Sequence, residues 1–271
     1  MGQIGAFPGM DVLPPEIQRY VQNTNVTVIK NKLRSSVYQL EGAAGTVFLK
    51  ITPIGQMTHE ALMTEYLARF GLSAEVLAFH KDEHKEYLVT KQIKGQDAAS
   101  TAYLEQPELL CEVFADGLHR LHSISTDGCP RDNRLDGMVK RALDNCSRGK
   151  VDNGLLRYMG CGNRNEACEE MISLVCPNED LVVIHGDCCL PNVIVDEGKF
   201  SGFIDAGYGG IGDRHYDLFW AIWSLQHNLR SLDYTQRFID AYGRGKIDGN
   251  RLRLCGLVSA FNGFRGYDYY E

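Results

Sequence analysis

The chain has 271 residues, 44% of them hydrophobic and 23% charged, which are the proportions of a soluble globular protein that can bury a core. Its formal net charge of −7 at pH 7 argues against a general nucleic-acid binder, and no stretch approaches the roughly 20 apolar residues that cross a bilayer. Nine cysteines without a CxxC pair, and a start that does not resemble a secretory leader, indicate reduced structural thiols in a cytoplasmic protein.

The first third of the sequence has the short β-branched and alternating runs that predict a sheet. The predicted strands are NVTVIK (25–30), SVYQLEG (36–42), TVFLKI (46–51), EVLAFH (75–80) and EYLVTKQI (86–93). Between the third and fourth of these, residues 58–71 predict a helix with one apolar face formed by Leu62, Tyr66, Leu67 and Phe70. These elements predict a small α+β unit.

Beyond about residue 95 the pattern becomes helical, so we predict a boundary between two lobes near residues 93 to 96. Residues 107–124 carry an apolar stripe at Leu109, Val113, Phe114, Leu118 and Leu121. Residues 147–166 form a polar, glycine-containing region, followed by a helix to Leu174. DLFWAIWSLQHNL (217–229) predicts a buried helix, and further helices are expected towards the C-terminus.

The stretch from residue 181 to residue 205 concentrates polar residues between short strands. LVVI (181–184) predicts a buried strand, HGDCCLPN (185–192) a polar loop, and the residues on either side of Glu197-Gly198 a hairpin. Such a hairpin would bring Asn192 and Asp205 to the same open end, beside Asp187. Two carboxylates and an amide are oxygen ligands of the kind that Mg²⁺ prefers.

These residues match the few protein groups that phosphoryl transfer to an alcohol requires. The spacing Asp187-x4-Asn192 matches a catalytic base followed by a metal-binding Asn, and Asp205 stands where a second metal-binding residue belongs. Lys50, at the end of a predicted strand, is a candidate ligand of the phosphates. A carboxylate on the following helix should hold this lysine, and both Glu60 and Glu65 qualify by position.

Other polar residues in this region are expected to support the structure rather than react. His119 and His122 lie on a mainly apolar helix and are interpreted as core or surface residues, and His185 as a brace of the loop. Asp213 and Asp217 fall one turn apart at the start of a helix, where one of them could brace the catalytic loop. The adjacent Cys188 and Cys189 are interpreted as structural thiols.

At these residues the chain resembles the aminoglycoside phosphotransferases, and most closely the aminoglycoside 3′-phosphotransferases. HGDCCLPN (185–192), FSGFID (200–205) and DRHYD (213–217) resemble the signature blocks of that family. VFLK (47–50) and HEALMTEYLARFGL (59–72) support the resemblance more loosely.

The resemblance implies an α+β, two-lobed protein-kinase-like fold with a small β-rich N-lobe and a larger helical C-lobe. Residues 1–93 would bind nucleotide, and residues 94–271 would carry the catalytic loop and the acceptor site. The implied cofactors are ATP, or GTP in its place, and Mg²⁺. The resemblance also places the lysine-holding carboxylate at Glu60, and adenine contacts near Thr90, Gln92 and Ile93.

Two parts of the sequence depart from the family pattern. The segment expected to cover the phosphates, residues 32–40, contains no glycine, so we expect backbone N–H groups and the hydroxyls of Ser35 and Ser36 to contact phosphate. On the acceptor side, residues 147–166 are basic where relatives that bind polycationic aminoglycosides are acidic. Asp268 and Glu271 near the C-terminus are the carboxylates that could take over part of that binding.

Three functions therefore remain open from the sequence. The first is an ATP-dependent kinase that phosphorylates a hydroxyl of an aminoglycoside and confers resistance. The second is a kinase of the same fold acting on another small alcohol, such as a sugar, amino alcohol, peptide antibiotic or macrolide. The third is a non-catalytic nucleotide-binding module, which the intact Lys50, Asp187, Asn192 and Asp205 disfavour. The expected partner is a small, cationic acceptor, with no nucleic acid or membrane, and the chain is expected to be a monomer or weak dimer.

Overall fold

The computed structural model describes residues 7–9, 12–32, 34–175 and 178–262. These residues divide into two compact units. The first contains the described residues of Met1–Lys94 together with Ser201–Gly207, and the second those of Gly95–Phe200 and Tyr208–Glu271.

The first unit is built on one antiparallel sheet with two helices. Its elements are α1 (Pro15–Val21), β1 (Asn25–Lys32), β2 (Ser35–Gly42), β3 (Gly45–Pro53), α2 (Thr58–Ala68), β4 (Val76–Lys81) and β5 (Lys85–Lys91). The five strands lie in the order β1-β2-β3-β5-β4. All five predicted strands are confirmed, whereas α1 was not predicted.

Strand alternation places the core of this unit on one face of the sheet. Leu49 and Ile51 of β3 pack with Tyr87 and Val89 of β5 in a buried cluster that also contains Ile17 of α1. Because successive side chains of a strand point to opposite faces, Lys50 lies on the other face. Lys50 pairs with Leu88 across the sheet, and Leu88 packs against Met57 and Ala61 at the start of α2.

The predicted buried face of α2 is partly wrong. Tyr66 and Leu67 are buried, but Leu62 is 44% exposed and Phe70 is 42% exposed. Ala61 is the residue of α2 that packs against Leu88 of the sheet. Leu62 lies about 100° further around the helix axis, so its side chain faces solvent. Phe70 lies beyond the last residue of the helix and does not continue its periodicity.

The second unit is mainly helical. Its elements are β6 (Gln96–Asp97), α3 (Thr101–Leu104), α4 (Pro107–Leu121), α5 (Leu135–Ser147), α6 (Asn153–Tyr158), α7 (Arg164–Leu174), β7 (Leu181–Ile184), β8 (Val193–Asp196), β9 (Lys199–Phe203), β10 (Gly210–Asp213), α8 (Arg214–Leu229), α9 (Tyr234–Tyr242) and α10 (Gly249–Asn262). β10 pairs with β7, and β6, β8 and the beginning of β9 form a second small sheet. The end of β9 belongs to the first unit.

Residues 147–166 are more ordered than their composition predicted. They contain α6, which begins after Asp152, and the Asp152 carboxylate accepts hydrogen bonds from the N–H groups of Gly154 and Leu155. Leu155 and Leu156 are buried in the core of this unit. A short amphipathic turn between glycines was therefore missed, because glycines and charged residues dominate the local pattern. No helix in the described part of the chain is both long and apolar enough to span a bilayer.

Candidate active site

Lys50 and Glu60 form an ion pair within the first unit. The Lys50 ammonium lies 2.7 Å from Glu60 Oε1 and 2.8 Å from Glu60 Oε2. The two side chains are only 18% and 12% exposed. Glu65, the other carboxylate that the sequence allowed, is 60% exposed and lies 4.0 Å from Arg69. Of the two candidates, Glu60 is therefore the residue that contacts the lysine.

Asp205 completes a group of three charged side chains. Its Oδ1 lies 2.6 Å from Lys50 Nζ, and its side chain is 43% exposed. Asp205 has a left-handed backbone conformation, with φ of 59°, which is uncommon for a residue other than glycine. A Cβ atom at Gly207 would come within 3.3 Å of Glu60 Cβ, so glycine allows this turn to approach α2 closely.

The segment before Asp205 is anchored in the same unit. The Phe203 N–H donates to the Leu72 carbonyl at 2.8 Å, and the Ser73 hydroxyl donates to the Phe203 carbonyl at the same distance. These bonds fix the end of β9 just before the left-handed residue. Backbone strain of this kind is often found at functional sites, where surrounding contacts maintain it.

The three charged groups shift one another's ionisation. Burial lowers the pKa of Lys50, but the Asp205 and Glu60 carboxylates outweigh burial and hold this pKa above its usual range. Burial raises the pKa of Glu60 to about 7, against the attraction of Lys50. Desolvation favours the neutral form of Asp205, yet the Lys50 ammonium lowers the pKa of Asp205 to about 2. Near neutral pH the lysine and Asp205 are therefore charged, and Glu60 is close to its midpoint.

The catalytic-loop motif lies in the second unit, between β7 and β8, and α8 braces it. The Asp217 carboxylate accepts from the N–H of His185 at 2.7 Å and from the N–H of Gly186 at 2.8 Å. It also lies 3.2 Å from His122 Nε2. The prediction that one of the two acids of DRHYD braces the loop is confirmed for Asp217, whereas Asp213 caps the N-terminus of α8.

Asp187 and Asn192 are held together by local hydrogen bonds. The Asp187 N–H donates to His185 Nδ1 at 3.2 Å, which confirms His185 as a brace. The Asn192 amide nitrogen donates to the Asp187 carbonyl at 2.9 Å, and this bond fixes the orientation of the amide. Asp187 is half-buried, and Asn192 is buried. The amide oxygen of Asn192 is the atom whose chemistry suits a metal ion.

The described residues contain no group of three or more His, Cys, Asp and Glu side chains that could hold an ion. Magnesium is commonly bound by one or two protein oxygens together with phosphate oxygens and water. Asn192 and Asp205 are oxygen donors of that kind, one in each unit.

The predicted nucleotide contacts lie in β2, in β5 and in the two residues that follow β5. Ser35 opens β2 and its buried hydroxyl has no hydrogen-bond partner among the described residues, whereas the Ser36 hydroxyl donates to Asn31 Oδ1 at 3.0 Å. Thr90 belongs to β5, and the N–H of the following Gln92 donates to the Thr46 carbonyl at 3.2 Å. Adenine near Ile93 would therefore have to bind other backbone groups of this segment.

The histidines and cysteines that the sequence singled out as structural have matching surroundings. His122 Nδ1 lies 2.8 Å from the Tyr242 hydroxyl, and the His119 ring stacks on that tyrosine at 4.6 Å. Cys188 and Cys189 are buried, and burial raises the pKa of the Cys188 thiol well above its usual range. Their structural interpretation is confirmed. Asp268 and Glu271 lie outside the described residues.

Two bracing residues were missed from the sequence. The Ser224 hydroxyl accepts from the N–H of Leu190 at 2.9 Å, and the Asn133 amide donates to the Tyr208 carbonyl at 2.8 Å. The one available signal was a serine within the apolar run of α8. Nothing in the sequence around Asn133 marks it.

Comparisons with known proteins agree with this arrangement. The family model described as the phosphotransferase enzyme family matches residues 25–256. The chain belongs to this family. The phosphotransferase is 35% identical over 216 residues to a probable aminoglycoside 3′-phosphotransferase of Lactococcus lactis, covering 79% of this chain and 82% of the relative. It is 30% identical to an aminoglycoside 3′-phosphotransferase of Niallia circulans, covering 89% and 94% of the two chains.

A solved structure extends the likeness to the fold. The phosphotransferase superimposes on the crystal structure of an aminoglycoside-3′-phosphotransferase of type VIII with a TM-score of 0.74 at 28% identity. The match covers 90% of this chain and 95% of the other. The resemblance stated from the sequence and the predicted α+β, protein-kinase-like fold class are confirmed.

Proposed function

We propose that this phosphotransferase transfers the γ-phosphoryl group of ATP to a hydroxyl of an aminoglycoside-type antibiotic and so confers resistance. The observation that carries the proposal is the contact of one ammonium with two carboxylates in a member of this family. Lys50 Nζ lies 2.7 Å from Glu60 Oε1 and 2.6 Å from Asp205 Oδ1. The names of the relatives from Lactococcus lactis and Niallia circulans support the aminoglycoside acceptor.

In the proposed reaction, each charged residue has a separate task. Glu60 orients Lys50, and the Lys50 ammonium binds phosphate oxygens of ATP. Asp187 accepts the proton of the acceptor hydroxyl as the hydroxyl oxygen forms its bond to the γ-phosphorus and the bond to the ADP oxygen breaks. The Asp187 N–H donates to His185 and the Asp187 carbonyl accepts from Asn192, so the backbone that carries this carboxylate is held in place before the acceptor arrives.

The donor set of the chain fits magnesium. Asp205 offers a carboxylate that is 43% exposed and ionised at neutral pH, and Asn192 offers an amide oxygen. Both are hard oxygen donors, the type that magnesium selects. When bound, the ion supplies positive charge that neutralises the phosphate oxygens. Ser35, Ser36 and the backbone near Thr90, Gln92 and Ile93 remain our proposed contacts to the rest of the nucleotide.

A second acceptor class is favoured by residues 147–166. In this region a cavity of about 490 Å³ is lined by Gly149, Val151, Asn153, Asn163, Arg164 and Asn165. The buried Nε of Arg164 has no hydrogen-bond partner among the described residues, and Asp152 is occupied in capping α6. A cavity lined by one arginine and three asparagines would accept an anionic or neutral alcohol more readily than a polycation. Asp268 and Glu271 are the proposed counter-charges if the acceptor is cationic.

One assay separates the two acceptor classes. Purified protein is incubated with ATP, Mg²⁺ and matched compounds, one kanamycin-type aminoglycoside with a 3′-hydroxyl and one lacking it, and products are followed by mass spectrometry. We expect one phosphoryl group to be added to the first compound only. Phosphorylation of neither compound, with magnesium-dependent ATP binding intact, would contradict the aminoglycoside acceptor and redirect the search to other small alcohols.

A further inference from the structure

Glu86 is a buried carboxylate that the proposed reaction does not use. It lies in β5, where it pairs with Thr52, and its side chain is fully buried. Two residues further along the strand, Leu88 packs against α2, and strand alternation places Glu86 on that same face. A buried charge is costly unless it is paired and hydrogen-bonded, so its partners require an explanation.

Those partners are at the N-terminus of α2. The Met57 N–H donates to Glu86 Oε2, and the Thr58 hydroxyl donates to Glu86 Oε1 at 2.7 Å. Lys81 Nζ lies 3.3 Å from Oε1 and donates to the Thr58 hydroxyl at 2.6 Å. Burial raises the pKa of Glu86, but these donors outweigh burial and hold the pKa below its usual range.

Glu86 acts as the missing cap of this helix. Met57, at the capping position, makes no side-chain hydrogen bond to the helix. A carboxylate near a helix N-terminus is favoured by the partial positive charge there and by the unpaired N–H groups. Here the carboxylate comes from a neighbouring strand, so it attaches the start of α2 to the sheet.

We propose that Glu86 is a positioning residue that sets the distance between Glu60 and Lys50. Glu60 lies in the first turn of α2, two residues after Thr58, and Lys50 is paired with Leu88 of β5. Both members of the ion pair are thus connected to β5. Lys50 is connected through strand pairing, and Glu60 through the hydrogen bonds of Glu86 to the start of α2. The inference rests on the proposed use of Lys50 on the phosphates of ATP.

A positioning role for Glu86 and a purely stabilising role predict different results when Glu86 and Glu60 are substituted together. If Glu86 acts through Glu60, its removal should matter little once Glu60 can no longer hold the lysine. If Glu86 only stabilises the fold, the two losses should multiply. Asp82 provides a matched control, because its carboxylate accepts from the N–H groups of His84 and Lys85 and from the Tyr87 hydroxyl, and none of these partners belongs to α2.

The test compares kcat/KM for ATP and the affinity for magnesium AMP-PNP among Glu86→Gln, Thr58→Ala and Asp82→Asn. We expect Glu86→Gln to lower kcat/KM about tenfold. Thr58→Ala, which removes the hydroxyl that donates to Glu86 and accepts from Lys81, should lower it about threefold. Asp82→Asn should change it by less than about twofold. Thr58→Ala keeps the test decisive if Glu86→Gln does not fold, and Glu86→Asp should recover part of the loss.

The deciding measurement repeats these substitutions in Glu60→Gln protein. There we expect Glu86→Gln, or Thr58→Ala in its place, to have less than about a twofold further effect. A full, multiplicative loss in that background, or an equal loss from Asp82→Asn, would overturn the positioning role. Wild-type protein that binds AMP-PNP but phosphorylates no aminoglycoside would contradict only the proposed acceptor, and the comparison would then use AMP-PNP affinity.

Discussion

Among the three charged side chains Lys50, Glu60 and Asp205, Glu60 is the one whose charge changes near neutral pH. Its pKa in the folded protein is about 7 because burial outweighs the attraction of Lys50, whereas an unfolded glutamate titrates near 4.5. Between these values the folded state binds a proton that the unfolded state has lost. The contribution of Glu60 to stability is therefore fully present below about pH 4.5 and is lost as the pH rises through about 7.

This linkage predicts the pH dependence of stability in the nucleotide-free, metal-free protein. The free energy of unfolding of wild type should fall with rising pH relative to that of Glu60→Gln, because glutamine has no proton to lose. From pH 5 to pH 8 the difference should shift by roughly 1–3 kcal/mol in favour of the variant. Denaturant unfolding at the two pH values measures the difference. Glu65→Gln, on the exposed side of the same helix, is the control and should follow wild type. Parallel pH profiles for Glu60→Gln and wild type would show that Glu60 does not titrate in this range.

At the scale of single residues, spacing along the chain marked the candidate reactive residues more readily than the residues that support them. Asp187, Asn192 and Asp205 lie within one loop and hairpin, so their spacing marked them as candidates. For the carboxylate that holds Lys50, spacing allowed both Glu60 and Glu65, and only the family resemblance selected Glu60. Glu86 and Ser224 support the site through contacts with residues 28 and 34 positions away. Such contacts depend on strand pairing and helix packing, which no local pattern contains.

At the scale of structural elements, the loop after β7 depends on the left-handed backbone conformation of Gly186. Gly186 has φ of 78°, and a Cβ atom there would collide with the carbonyl oxygen of Tyr208. Gly160 has a similar φ of 69°, but a Cβ atom at Gly160 would meet no other atom within 4 Å. The two glycines therefore separate the cost of a left-handed conformation from the cost of a collision.

We expect Gly160→Ala to cost about 1–2 kcal/mol of stability, the penalty of a left-handed alanine. Gly186→Ala should cost at least about 1–3 kcal/mol more, because the loop or residue Tyr208 must move. It should also lower the rate of phosphoryl transfer, since Asp187 is the next residue. Thermal unfolding and the transfer assay measure both effects. Equal costs for the two variants would show that Gly186 is not tightly packed.

Strands and helices could be predicted from the sequence where a single hydrophobic period dominated the local pattern. The alternating runs of the first unit gave all five strands, because half-buried strands have a period of two. α1 was missed because it is short and begins with Pro15, and α6 because only Leu155 and Leu156 mark its buried side. The buried face of α2 was wrong, since packing against Leu88 selects Ala61 over the larger Leu62.

For the whole molecule, the formal charge of −7 bears on the acceptor. A polycation should be attracted at long range, and that attraction should weaken as the Debye length falls from about 30 Å at 0.01 M salt to about 8 Å at 0.15 M. We therefore expect KM for a kanamycin-type acceptor to rise severalfold over this range, while KM for ATP, an anion, should not rise. Steady-state kinetics at the two salt concentrations measure this difference. A KM that is independent of salt would favour an uncharged acceptor and the second function.

The most direct test of the proposed reaction is the rate of phosphoryl transfer by Asp187→Asn at saturating ATP and acceptor. Asparagine keeps the size of the side chain but cannot accept the hydroxyl proton, so the rate should fall by about 10² or more. Affinity for magnesium AMP-PNP should stay within about twofold of wild type, because Asp187 is not proposed to bind the phosphates. Transfer at a near-normal rate by Asp187→Asn would contradict its role as the base.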